Sequence, residues 1–236
     1  MINQHEFHSK KELYQSVTQF CIKKLERRLQ QDGQASFIIP GGTTPAPVFE
    51  LLSKTELNWK NITIAPSDER WLERDHDNSN EKLIRQTLLI NQASSAHFTG
   101  MKSDHDTATQ AQQQCSARYQ QIPLPYEIIM LGMGPDGHFA SLFPKSNPVQ
   151  EALDIENEKS CIAIEATGCA VAGKFTERMS MTLSAILNSR QIILLFTGEE
   201  KLAIFEKAKS NNDSNRLPIC ALIHQNTVPV DLFWAR

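Results

Sequence analysis

The stretch Tyr126–Pro144 reads YEIIMLGMGPDGHFASLFP. Its apolar run, Ile128–Leu131, has the length and composition of a buried strand. Gly132, Gly134 and Gly137 follow and let the backbone turn tightly against a ligand. Asp136 and His138, a titratable pair two residues apart, stand inside that turn. The small and apolar residues beyond it read as a helix that begins at once. A strand opening into a glycine-rich loop with such a pair is where an α/β fold places its chemistry.

On the N-terminal side, Ser9–Gln31 carries Leu13, Val17, Phe20, Ile22, Leu25 and Leu29 near helical spacing, and Asp32-Gly33 stops it. Ser36–Ile39 is a short apolar strand running into Pro40-Gly41-Gly42-Thr43-Thr44-Pro45. Pro45 suits the first turn of a helix with Thr44 as its cap. Gly41, Gly42, Thr43 and Thr44 then form a candidate anion site, where bare amides, a helix dipole and two hydroxyls converge. Ile62–Ala65 is the next strand. It ends in Ser67-Asp68-Glu69-Arg70, whose three consecutive charges read as a loop. Ser79 or Asn80 caps a helix over Glu81–Leu89, Ala96–Phe98 is a short strand, and Asp106–Gln121 is a polar helix.

On the C-terminal side, Lys145–Lys159 is a loop and Cys161–Glu165 a strand. Thr167–Lys174 is small and glycine-containing, in the manner of a flap. Glu177–Leu187 reads as a helix with Arg178 in its first turn, where a cation opposes the dipole and either has a specific anionic partner or stands there by surface chance. Gln191–Phe196 is a strongly apolar strand, followed by the helix Glu199–Lys209 with Lys201 in its first turn. Pro218–Ile223 reads as the last strand. The tail Asp231–Arg236 packs back through Leu232, Phe233 and Trp234.

Strands alternating with helices predict an α/β fold with a largely parallel sheet. Loops that follow its strands gather on one edge. Gly41–Pro45, Asp68–Arg70, Asp136–His138 and Thr197–Lys201 are therefore expected side by side. That edge holds amides, hydroxyls and the cations Arg70, Arg178 and Lys201, which suit a phosphate. Asp136 and His138 suit proton transfer, because a carboxylate fixes the tautomer of a histidine.

At 236 residues the chain can bury one full α/β core, and residues 1–236 are read as a single domain. A net charge of -3 gives no basic excess for nucleic acid. No run approaches the ~20 apolar residues that span a bilayer, and the first residues show no apolar signal region. Five scattered cysteines without a CxxC pair fit free thiols and a cytoplasmic location. No HxH, HxxxH or HExxH spacing supports a metal, and no GxSxG elbow supports a serine nucleophile, with Ser141 placed inside the expected helix. Gly132, Gly134 and Gly137 satisfy GxGxxG, with Glu151 and Asp154 near the distance of a ribose ligand. Pro135 and the Asp136/His138 pair fill that turn, however, which argues against a dinucleotide cofactor.

Four motifs in order resemble the 6-phosphogluconolactonases, within the wider group that includes glucosamine-6-phosphate deaminases. They are GGTTP at Gly41–Pro45, SDER at Ser67–Arg70, GMGPDGHFASLFP at Gly132–Pro144 and ERMSMT at Glu177–Thr182. Lys201, in TGEEK, matches a lysine of the same family. The deaminases continue from DGH to a glutamate just before the proline, where this chain has Phe143, as in the lactonases. The flap lacks the proline-rich approach to the arginine that many relatives have. The resemblance implies a Rossmann-like α/β fold with helices on both faces, no metal or other cofactor, and hydrolysis of 6-phospho-D-glucono-1,5-lactone. The residues on that edge suggest His138 as general base, oriented by Asp136, with Arg70 at the oxyanion or sharing the phosphate. Gly41, Gly42, Thr43, Thr44, Asp68, Arg178 and Lys201 would bind the substrate and its phosphate. A monomer or weak homo-oligomer is expected, with no nucleic-acid or membrane partner.

Overall fold

The structure is a computed structural model that describes residues 2–236. The chain starts with strand β1 (Ile2–Phe7) and helix α1 (Lys10–Asp32). Ser9 caps α1 by accepting from the Glu12 N–H at 3.2 Å, and Gly33 ends it at φ 74°. Leu13, Val17, Cys21 and Leu25 recur every four residues and form its buried stripe. Next come β2 (Ala35–Ile39), α2 (Ala46–Leu52), β3 (Ile62–Pro66), β4 (Asp68–Arg70), α3 (Asn80–Thr87), β5 (His97–Phe98) and α4 (Ala108–Tyr119). The second half holds β6 (Ile128–Leu131), α5 (Val149–Leu153), β7 (Cys161–Glu165), β8 (Glu177–Met181), α6 (Leu183–Leu187) and β9 (Ile192–Thr197). It closes with α7 (Glu199–Lys209), α8 (Ile219–His224) and β10 (Val230–Ala235).

Seven strands form one parallel sheet in the order β1-β10-β9-β6-β2-β3-β5. Alternate residues feed two cores. Phe37, Ile39, Ile128, Met130, Ile193 and Leu195 pack with α1, α2 and α3 on one face. Ile38, Ile129, Leu131, Ile192 and Leu194 pack on the other with α4, α7 and α8. Because both faces are covered, the central strands are apolar throughout rather than alternating. The expected largely parallel α/β architecture, with helices on both faces, is the one observed.

A second sheet departs from the sequence reading. Strands β4, β8 and β7 pair antiparallel, with β8 in the middle. Ser67–Arg70 is thus mostly strand rather than loop. Glu177–Leu187 is not one helix: Glu177–Met181 is strand, and only Leu183–Leu187 is helical, capped by the Thr182 hydroxyl. Arg178 therefore lies opposite Arg70 in a ribbon and does not oppose a helix dipole. The Pro218–Ile223 segment is helix α8 rather than strand, since a short apolar run has no periodicity to separate the two and Pro218 suits a helix start. The last strand is instead the tail, which inserts as β10 between β9 and the edge strand β1.

Candidate active site

The edge formed by the C-terminal ends of β2, β6 and β9 opens into a cavity of about 340 Å³. Gly41, Gly42, Thr43 and Thr44 line one wall. Gly42 has φ 94°, a conformation that glycine adopts without strain. Thr44 does not cap α2 as expected. Pro45 occupies the N-cap, and no side chain bonds to the open amides there. A Cβ at Gly41 would collide with the side chain of Asn80, which would have to leave its bond to Asp68 O to make room.

The glycine-rich turn after β6 curls onto its own histidine. Gly134 N–H donates to the His138 carbonyl at 2.9 Å, and Gly137, at φ 75°, donates back to Gly134 O at 3.1 Å. A Cβ on Gly134 would fall on the His138 ring. The turn thus encloses imidazole where a dinucleotide turn would enclose pyrophosphate. No helix begins here either. Phe139 and Leu142 bridge across a turn with Ala140 at φ 47°, and the next helix waits until Val149.

His138 lines the cavity, with Asp136 behind it. The His138 Nδ1–Asp136 Oδ1 distance is 2.5 Å, and the same oxygen accepts the His138 backbone N–H at 3.2 Å. Burial raises the Asp136 pKa, but the hydrogen bond and charge of His138 outweigh that and hold it below the usual carboxylate value. An ionised Asp136 only accepts, so Nδ1 carries the proton and Nε2 of a neutral His138 holds the lone pair. Phe143 packs on the imidazole with ring centroids 4.3 Å apart, and the Arg178 guanidinium lies 5.5 Å from the same ring.

The β4–β8 ribbon delivers the cations. Arg70 and Arg178 are register partners, and both line the cavity. Arg70 Nη1 donates to Asn78 O at 2.7 Å. Arg178 donates through Nε to Phe175 O at 2.6 Å and through Nη2 to Ala172 O at 3.0 Å. The flap expected over Thr167–Lys174 is thus folded onto the Arg178 guanidinium, with Gly168 at φ 83° and Gly173 at φ 65°. Burial lowers the Arg178 pKa, the Asp68 charge raises it and the Arg70 charge lowers it. Lys201 reaches the cavity from the first turn of α7, its pKa also lowered by burial.

Asp68 completes the wall. The cavity therefore brings together all the expected residues except Asp136, which acts on it only through His138. Sequence reasoning missed Asn80 and Val171. Asn80 was legible only as a helix cap, yet its Nδ2 donates to Asp68 O at 2.7 Å and its side chain lines the cavity. It also missed the support beneath them. Glu69 is buried and accepts the N–H groups of Arg70, Asn80 and Glu81 at 2.8 Å each, which ties β4 to the start of α3. Burial pushes Glu69 up to about 7 despite those three backbone donors, and the charge of Asp68 adds to the rise. Among the described residues, no group of three or more His, Cys, Asp or Glu is arranged to hold a metal. No helix among them is long and apolar enough to cross a membrane.

The family model for glucosamine-6-phosphate isomerases/6-phosphogluconolactonase matches residues 8–234. The 6-phosphogluconolactonase of Rhizobium meliloti (strain 1021) is 31% identical over 99% of this chain and 98% of its own. That of Xylella fastidiosa (strain Temecula1) is 36% identical over 93% of this chain and 90% of its own. The crystal structure of a 6-phosphogluconolactonase from Shewanella baltica OS155 superposes with a TM-score of 0.94 at 35% identity, covering 100% of this chain and 98% of that one. Sequence and structure agree along nearly the whole length, and the chain belongs to the glucosamine-6-phosphate isomerase/6-phosphogluconolactonase family.

Proposed function

We propose that this protein hydrolyses 6-phospho-D-glucono-1,5-lactone to 6-phospho-D-gluconate, the second step of the oxidative pentose phosphate pathway. The observation that carries the reading is the Asp136–His138 couple at 2.5 Å, opening onto a cavity shared with a bare glycine-threonine loop and three cations. The substrate phosphate docks on the Gly42–Thr44 amides and hydroxyls with Arg178 and Lys201. His138 Nε2 takes a proton from water as the water oxygen attacks C1. Asp136 keeps the tautomer and stabilises the imidazolium that forms. The carbonyl electrons move to oxygen, where Arg70 opposes the developing charge. The tetrahedral intermediate collapses, the C1–ring oxygen bond breaks, and His138 returns its proton to that oxygen. The product is an acid that ionises at neutral pH.

Phe143 supports the lactonase reading over the deaminase. It places an apolar ring on His138 where a deaminase is expected to have a glutamate. The lactone is generated in place from glucose 6-phosphate and its decay followed with and without protein, beside an ammonia assay on glucosamine 6-phosphate. The expected result is accelerated lactone decay and no ammonia. Ammonia release without lactone turnover would overturn the reading.

A further inference from the structure

Asp68 is a carboxylate in a cavity suited to an anion. It is buried, at 7% exposure, close enough to Arg178 to favour that residue's charge. A buried carboxylate beside two guanidiniums would ordinarily pair with one of them in a two-pronged contact. Among the described residues, however, no nitrogen of Arg70 or Arg178 comes within the 4.0 Å of an ion pair with Asp68. Its oxygens are held by two serines instead. Oδ2 accepts from Ser141 Oγ at 2.6 Å, and Oδ1 accepts from Ser67 Oγ at 3.2 Å.

The position of Ser141 is built by several segments. The left-handed turn at Ala140 swings it inward, three residues beyond His138, to 0% exposure. Its N–H donates to Ser180 Oγ at 3.2 Å, and Ser180 is the register partner of Asp68 across β4 and β8. The hydroxyl is thereby aimed at one carboxylate oxygen of Asp68. Were Asp68 free to turn onto Arg178 or Arg70, the cavity would hold an internal salt bridge, and an incoming phosphate would have to break it.

We infer that Ser141 is a positioning residue whose hydroxyl holds the Asp68 carboxylate off Arg70 and Arg178, leaving both guanidiniums free for the anionic groups of the substrate. The inference rests on the lactonase reading above and extends it to a residue outside the cavity lining.

Binding of 6-phosphogluconate is measured by titration calorimetry for the wild type, Ser141→Ala, Asp68→Asn and the double variant. Ser141→Ala should weaken binding about tenfold, the scale of one hydrogen bond to a charged group. It should raise the KM for the lactone in parallel while kcat holds. On the Asp68→Asn background the same change should cost nothing further, because an amide cannot neutralise an arginine. Ser141→Cys keeps a weak donor and should give an intermediate loss, which serves should the alanine variant fold poorly. Wild-type affinity in Ser141→Ala, or a loss undiminished on the Asp68→Asn background, would overturn the inference while leaving the reaction assignment intact. A wild type that binds no 6-phosphogluconate would overturn both.

Discussion

Replacing Asp136 by Asn isolates the charge behind the proposed base, His138. The carboxylate lies 2.5 Å from His138 Nδ1, and the two side chains are 23% and 18% exposed. Because the His138 backbone N–H donates to the same oxygen, an asparagine places its carbonyl oxygen there and keeps the tautomer. Only the charge is lost. A hydrogen bond to a charged group contributes roughly 1.5–3 kcal/mol against about 0.5–1.5 for a neutral one. The difference of about 1–2 kcal/mol applies to the imidazolium that forms in the transition state, so kcat should fall about 5- to 30-fold. KM should hold, since Asp136 does not line the cavity. Initial rates of lactone opening, corrected for spontaneous hydrolysis, give both constants. A kcat within twofold of the wild type would refute the assignment of Asp136. So would a loss carried wholly by KM.

Arg178→Ala and Lys201→Ala should each raise KM at least tenfold with a smaller change in kcat; a collapse of kcat at constant KM would move that residue into the chemistry. Glu69 should make stability fall with rising pH. Its folded pKa, about 7, lies above the ordinary glutamate value, so the protonated form favours folding and the contribution is lost between about pH 4.5 and 7. The size is about 3 kcal/mol over the whole window, and the roughly 2 kcal/mol of it that falls above pH 5.5 should be visible as a lower Tm at pH 8 than at pH 5.5. Glu69→Gln should flatten that slope, and an unchanged slope would refute the role. Asp136 acts with the opposite sign. Its depressed pKa contributes stability above the ordinary carboxylate range that is lost in acid, outside the Glu69 window.

Much of the central sheet was legible because its physics is local. Ile128–Leu131 is an apolar run cut off by Gly132, and the strand has those bounds. Helix α1 carries its own cap, stop and stripe. The loops at the strand ends were legible as a set, because in a parallel sheet they must share an edge. The β4–β8 ribbon was not. Its residues Arg178 and Ser180 are polar yet buried, and β8 is covered on both faces, so no alternation marks it as strand. Arg178 was singled out as a cation in the first turn of an expected helix, and that element is a strand. Strand β1 escaped because its Asn3, Gln4 and Glu6 are polar and it lies at an edge. Ser141 was set aside as a nucleophile inside an expected helix, whereas its buried position is set by the turn at Ala140 and by two strands distant in sequence.

His138 is the group proposed to move the proton. The direct test compares wild type and His138→Ala on lactone generated in place from glucose 6-phosphate, with the uncatalysed decay subtracted and folding checked by thermal melting. The wild type should accelerate the decay clearly, and kcat should be lower by roughly two to four decades in the variant. Turnover by His138→Ala near that of the wild type would contradict it.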